Sequence, residues 1–285
     1  MRDMRWILFW VMLTQTVAAL LTSAFFSFWE VGAHVYLQTL LIELLAYPIP
    51  ILLYAKTGWR ESQETARTEF RMCRFPAYLI PIIILMAAGG QFLQILLNLP
   101  LTYVMGSSAE ILPASLPELL AGILIVGAIP AVFEEFLMRG IVYGVMARYS
   151  TLAAAVFTTV MFALLHANPG ALLGYLFLGM VLVFVLQRTG SVYATMLFHF
   201  VNNLTALLIG YFAEALAYMP YVTLGLYAAG AAAFVLSFVL LRAVTKKPVQ
   251  TGRDRTRTIL GQSFFCLPTL LCFAVVIAML VMQFR

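Results

Sequence analysis

Nine stretches of this chain are long, apolar and almost free of charge, and they dictate what it can fold into. They run over approximately residues 6–28, 34–55, 76–98, 118–147, 151–167, 170–187, 191–210, 219–243 and 263–283. A helix needs about 20 mostly apolar residues to cross the hydrocarbon layer of a bilayer. Within that layer only helices and closed barrels satisfy their own backbone, and these stretches lack the alternation of barrel strands. The sequence therefore predicts an all-α polytopic transmembrane helix bundle of about nine spans. The first stretch is too long for a signal peptide and lacks a clear small-residue cleavage site, so it reads as a helix. Gly106-Ser107-Ser108, with Pro113 and Pro117, reads as the loop between the third and fourth spans, and the short fifth span ends at Asn168-Pro169-Gly170.

Composition bears on which functions are excluded. Hydrophobic residues make up 63% of the chain and charged residues 10%, against roughly half and a quarter in soluble domains. This excludes a soluble enzyme, a disordered protein and a disulfide scaffold. Cys73, Cys266 and Cys272 are odd in number and lack metal-site spacing, so all three read as unpaired. The net charge of +5 does not indicate nucleic acid, because the cations sit in short clusters between apolar runs, as topology-setting charges do. With nine spans, 15 of the 17 Lys and Arg fall on one face of the membrane. These include Lys56, Arg60, Arg67, Arg71 and Arg74 in one loop, and Arg242, Lys246, Lys247, Arg253, Arg255 and Arg257 in another. The positive-inside rule then predicts a multi-pass protein of the cell membrane, with a cytoplasmic N-terminus and the C-terminus outside. The basic loop 56–75, with Trp59, Phe70 and Phe75 interspersed, reads as an amphipathic surface helix or as a solvated loop.

Ionisable residues within spans are costly, so each is a functional candidate. Glu134, Glu135 and Arg139 lie in the fourth span, His166 ends the fifth, and His199, Asn202 and Asn203 lie in the seventh. Glu43, in the second span, stands alone in the sequence and reads as structural, bonded to a neighbouring helix. His34, at a helix start, reads as interfacial. At 1.5 Å per residue, Glu134 is ~20 Å above the end of its helix near Arg148, and His166 ~22 Å above Thr151. His199 and Asn203 are ~12 and ~18 Å above Ser191. Three helices thus bring a Glu, two His and an Asn to similar depth. Glu135 and Arg139 are i and i+4 and can form an ion pair, while Glu134 is rotated by about 100° from its neighbour. His199 and Asn203 are likewise i and i+4, as are Phe162 and His166.

A carboxylate beside an imidazole can hold and deprotonate a water. A second His and an amide on one helix face can donate to a developing oxyanion. That is equipment for hydrolysing an amide without a covalent nucleophile. Other protease chemistries lack their residues. No His-Glu-x-x-His motif is present, the only aspartates are Asp3 and Asp254 outside the spans, and neither Gly-x-Ser-x-Gly nor a cysteine near the His layer occurs. By ligand type alone, Glu134, His166 and His199 also suit a metal. The same polar layer also suits helix packing alone, as in a membrane scaffold, and a transporter is a third class.

At these residues the sequence resembles the CPBP family, also called Abi, which comprises CAAX proteases and bacteriocin-processing or immunity proteins. Glu134-Glu135-Phe136-Leu137-Met138-Arg139 matches its EExxxR motif, Phe162 to His166 its FxxxH motif, and His199 to Asn203 its HxxxN motif. Thr189-Gly190-Ser191-Val192-Tyr193 resembles the segment before the last of these. The motifs fall on the fourth, fifth and seventh spans, as in the Ras-converting type II CAAX prenyl proteases. The resemblance implies an intramembrane glutamic endopeptidase. No cofactor and no metal are expected, because Asn203 is a poor zinc ligand and the residue types suit an oxyanion hole better than a closed metal shell. Glu134 and His166 would activate water, His199 and Asn203 would form the oxyanion hole, and Glu135 and Arg139 would be a supporting ion pair. It implies as partners a peptide or membrane-protein substrate, besides the lipid bilayer, and no nucleic acid. The resemblance covers about residues 117–210 as a catalytic core. Helices 1–3 with the basic loop (residues 1–116) and the last two helices (211–285) carry no matching motif. The alternatives are a non-proteolytic scaffold or bacteriocin-immunity protein, or a metal-dependent protease using the same Glu and His residues.

Overall fold

Apolar stretches this long bury their backbone polar groups most cheaply as helix, and helix is what they form. The computed structural model describes residues 2–26, 34–52, 72–105, 112–248 and 251–283. The main helices are α1 (Arg2–Phe26), α2 (His34–Ala46), α3 (Ile80–Met105), α4 (Leu116–Ala147) and α5 (Thr151–Leu165). They continue with α6 (Leu172–Thr189), α7 (Val192–Tyr211), α8 (Pro220–Val244), α9 (Thr256–Phe264) and α10 (Leu267–Gln283). No strand occurs among the described residues. Residues 56–71 of the basic loop 56–75, and Gly106-Ser107-Ser108, lie outside them.

Among the described residues, seven helical segments are long and apolar enough to span a membrane, or eight if α9 and α10, bent by 58° at their junction, make one span. The chain is a multi-pass membrane protein. Among the described residues each of the nine apolar stretches contains helix, and the fifth is too short to count as a full span. At 15 residues, α5 is about 22 Å long, against a hydrocarbon thickness of about 30 Å. Large apolar side chains are exposed along the helices, among them Leu21, Leu52, Leu124, Met180 and Val235. For a protein in lipid this is the expected outer surface.

The helices form two compact units. One comprises Met1–Met72, Phe133–Ala167 and Val249–Arg285, the other Cys73–Val132 and Asn168–Pro248. In the first, α1 packs on α2 and α10, and α5 packs on the last turns of α4 and on α9. The start of α5 is clamped. Ser150 caps it by accepting from the Ala153 N–H at 3.2 Å, and the Ser150 and Thr256 hydroxyls are hydrogen-bonded at 2.9 Å. The Thr151 N–H donates to the Thr251 carbonyl, the Thr251 N–H to the Thr151 hydroxyl (both 3.2 Å), and the Thr251 hydroxyl to the Ala147 carbonyl at 2.7 Å. This approach needs a glycine next door. Gly252 has φ +56°, and a Cβ there would lie 1.7 Å from the Tyr149 carbonyl oxygen.

In the second unit α3 is central and packs against α6, α7 and α8. The α3–α8 crossing is close because Gly89 meets Gly230. A Cβ on Gly89 would sit 2.4 Å from the Gly230 carbonyl oxygen, the small-residue contact typical of membrane helices. Polar links add to it: Asn98 Oδ1 accepts from the Gly174 N–H at 2.7 Å, and Asn202 Nδ2 donates to the Ala87 carbonyl at 3.5 Å. The α6–α7 turn is fixed too. Gly190 closes α6 in the left-handed conformation, and the Ser191 hydroxyl donates to the Cys73 carbonyl.

Candidate active site

The fourth helix is irregular on both sides of its glutamates. Two π-helical stretches, Ile123–Ala128 and Phe136–Val142, flank a short α-helical segment, Ile129–Glu135. Such wide turns recur at functional sites, where they re-aim side chains. Glu134 and Glu135 end the α-helical segment and point different ways.

Glu135 pairs with Arg139, Oε1 to Nη1 at 2.8 Å, with both side chains fully buried. The Arg139 guanidinium also lies over the Phe162 ring, 4.5 Å from its centroid. The ion pair expected from the i, i+4 spacing is therefore present, and α5 contributes an aromatic face to it. A buried charge needs such partners, since desolvation is otherwise uncompensated.

Glu134 instead approaches His166. Its Oε2 lies 3.9 Å from His166 Nε2, beyond direct hydrogen bonding and within reach of one shared water. Oε2 is buried and has no hydrogen-bond partner in the protein. The imidazole is held by its other nitrogen, Nδ1, 2.8 Å from the Phe162 carbonyl oxygen. A carbonyl only accepts, so Nδ1 carries a hydrogen. In the neutral ring, Nε2 then presents a lone pair on the Glu134 side. The Phe162 ring packs against the imidazole at 4.8 Å between centroids. Past His166 the helix stops, and Ala167 takes a left-handed φ of 44°, a strained conformation for a residue with a Cβ.

His199 and Asn203 lie on α7, in the other unit, and His199 is 2% exposed. Asn203 Nδ2 donates to the Val126 carbonyl at 3.2 Å. The reason lies four residues further along α4, where Pro130 has no N–H to offer that carbonyl. Asn203 supplies a donor in its place, which fixes the amide with nitrogen toward Val126. Asn202 turns to α3, so adjacent asparagines serve different neighbours of α7.

Glu43 is not alone. It is 8% exposed, its Oε2 has no hydrogen-bond partner, and it interacts electrostatically with Glu134. One turn later lies Tyr47, 1% exposed. Among the described residues no group of three or more His, Cys, Asp or Glu gathers as a metal ion would require, and the three cysteines are free.

Neither a curated relative nor a solved structure matches the chain. Residues 116–205 match the family described as Rce1-like, type II CAAX prenyl endopeptidase. That segment contains Glu134, Glu135, Arg139, His166, His199 and Asn203. Over those residues the chain is similar to a family of membrane peptide hydrolases, the kinship that its EExxxR, FxxxH and HxxxN motifs indicate.

Proposed function

We propose that the chain is an intramembrane endopeptidase in which Glu134 and His166 hold and activate a water. The observation that carries this reading is the pairing of an unpartnered Glu134 Oε2 with His166 Nε2 at 3.9 Å. Both are acceptors, so a water bound between them gives each a hydrogen and keeps its lone pairs for a substrate carbonyl. As the water oxygen bonds to the carbonyl carbon, its proton passes to Glu134. When the C–N bond breaks, that proton goes to the departing amine. No covalent enzyme intermediate is formed. Holding a base and a proton at the right place is worth about 10²–10⁴ in rate.

Glu135 and Arg139 cancel each other's charge next to the base, and Arg139 braces Phe162, whose carbonyl sets the His166 tautomer. His199 and Asn203 are assigned as oxyanion donors on the motif resemblance. In support, the Asn203 amide is oriented by Val126 and its Nδ2 has a second hydrogen. The substrate is a peptide or a membrane protein, and the matched family points to prenylated C-terminal peptides as the first class to try.

Comparative peptidomics of membranes from cells with wild-type protein, with Glu134→Gln protein, and without the protein tests this reading. New peptide termini that depend on the wild-type chain and disappear in Glu134→Gln are expected. Identical profiles in all three would favour a non-proteolytic scaffold or immunity protein.

A further inference from the structure

The cations of the second unit gather at one of its ends. Arg188 lies in the last turn of α6 and Arg242 in the last turn of α8, with Lys246 and Lys247 just beyond. Arg188 Nη1 donates to the carbonyls of Arg242 and Lys246 at 3.5 and 3.4 Å, which joins the two helix ends. Its Nε is buried and has no hydrogen-bond partner. Arg242, Lys246 and Lys247 are exposed. Glu118 and Glu214, the acids among the described residues of this unit, lie at its other end. Glu214 follows the far end of α7, and Glu118 accepts from the Ala114 N–H near Leu112, whose side chain packs on Gly210. The 20 residues of α7 put about 30 Å between the two ends. Among the described residues of the unit, no anion balances the cluster.

Next to these cations the α6–α8 surface is aromatic. The Arg188 guanidinium lies over the Phe184 ring, 5.4 Å from its centroid. Phe184 stacks on Phe238 at 4.4 Å, and Phe238 on Phe234 at 6.2 Å. All three rings are half-buried. Setting topology requires only charges in a loop. It does not require a guanidinium fixed between two helix ends beside a column of rings. Unbalanced cations beside an apolar face complement an amphiphile with an anionic head. Basic pockets between membrane helices take such headgroups, and a guanidinium grips phosphate through parallel N–H bonds. We propose that the shared end of α6 and α8 binds one anionic phospholipid. Arg188, Arg242, Lys246 and Lys247 hold its phosphate, and its chains lie against Phe184, Phe238 and Phe234. The inference does not rest on the peptidase reading.

Native mass spectrometry of the full chain in detergent, titrated with phosphatidylglycerol or with phosphatidylcholine of the same chains, tests this. Each cation near an anionic headgroup contributes about fivefold in affinity. The wild type should bind one phosphatidylglycerol at least about 10-fold more tightly than phosphatidylcholine. Lys246→Gln with Lys247→Gln should lower that affinity by about 25-fold, and Arg188→Gln by about fivefold or more. Phosphatidylcholine binding should be the same in all of them. The two lysines are exposed, so the double variant removes charge without disturbing the packed helices. The control, Arg253→Gln with Arg257→Gln, removes the same charge from the first unit and should leave the first phosphatidylglycerol bound as in the wild type. Equal affinity for the two lipids, wild-type affinity in the lysine variant, or an equal loss in the control would overturn the inference. So would glycerophosphoglycerol, the same headgroup without chains, binding as tightly as the lipid, because the site would then be one for soluble phosphate compounds.

Discussion

Two adjacent glutamates have opposite surroundings, and their substitutions should separate accordingly. Glu135→Gln leaves Arg139 without its anionic partner in a buried site, a change that costs about 3–5 kcal/mol. Glu134→Gln replaces a side chain that has no cation of its own. Thermal melting in detergent should therefore show a clear loss for Glu135→Gln and little change for Glu134→Gln, and the reverse ranking would refute the division of roles. Asn203→Ala should lower cleavage by about 10²–10³ as a lost oxyanion donor, with some activity remaining. The motif residues were legible because each is a polar type that lipid-facing positions exclude, at i, i+4 spacing. Glu43 looked solitary because its electrostatic neighbour Glu134 lies far away in sequence.

At the level of the elements, helix positions could be read from hydropathy, whereas their irregularities could not. The π-helical stretches of α4 depend on how its turns pack, which no local pattern reports. Pro130 was visible, but not that Asn203, more than 70 residues away, would serve the Val126 carbonyl. The clamp at the start of α5 is another contact set by tertiary structure. It makes Gly252→Ala a sharp test, because a Cβ at φ +56° would meet the Tyr149 carbonyl oxygen. The substitution should destabilise by more than about 1 kcal/mol, seen as a lower melting temperature. A melting temperature equal to wild type would mean that the 251–256 segment does not anchor α5.

For the whole molecule, the distribution of cations predicts that a reporter inserted near Gln63 is cytoplasmic and one fused after Arg285 is outside. The test depends on α5 and on the bent α9–α10 pair, the segments least like full spans. If one of them fails to cross, the parity changes and both reporters fall on the same side, which would contradict the nine-span map. The central claim is that a water activated by Glu134 and His166 cleaves a peptide bond without a metal. It is tested most directly with purified protein in lipid, stripped with a chelator, and a substrate identified by peptidomics. Cleavage should persist after stripping, and Glu134→Gln and His166→Ala should each lower it by about 10²–10⁴. Cleavage lost with chelator and restored by zinc or cobalt, or a Glu134→Gln protein as active as wild type, would contradict the account.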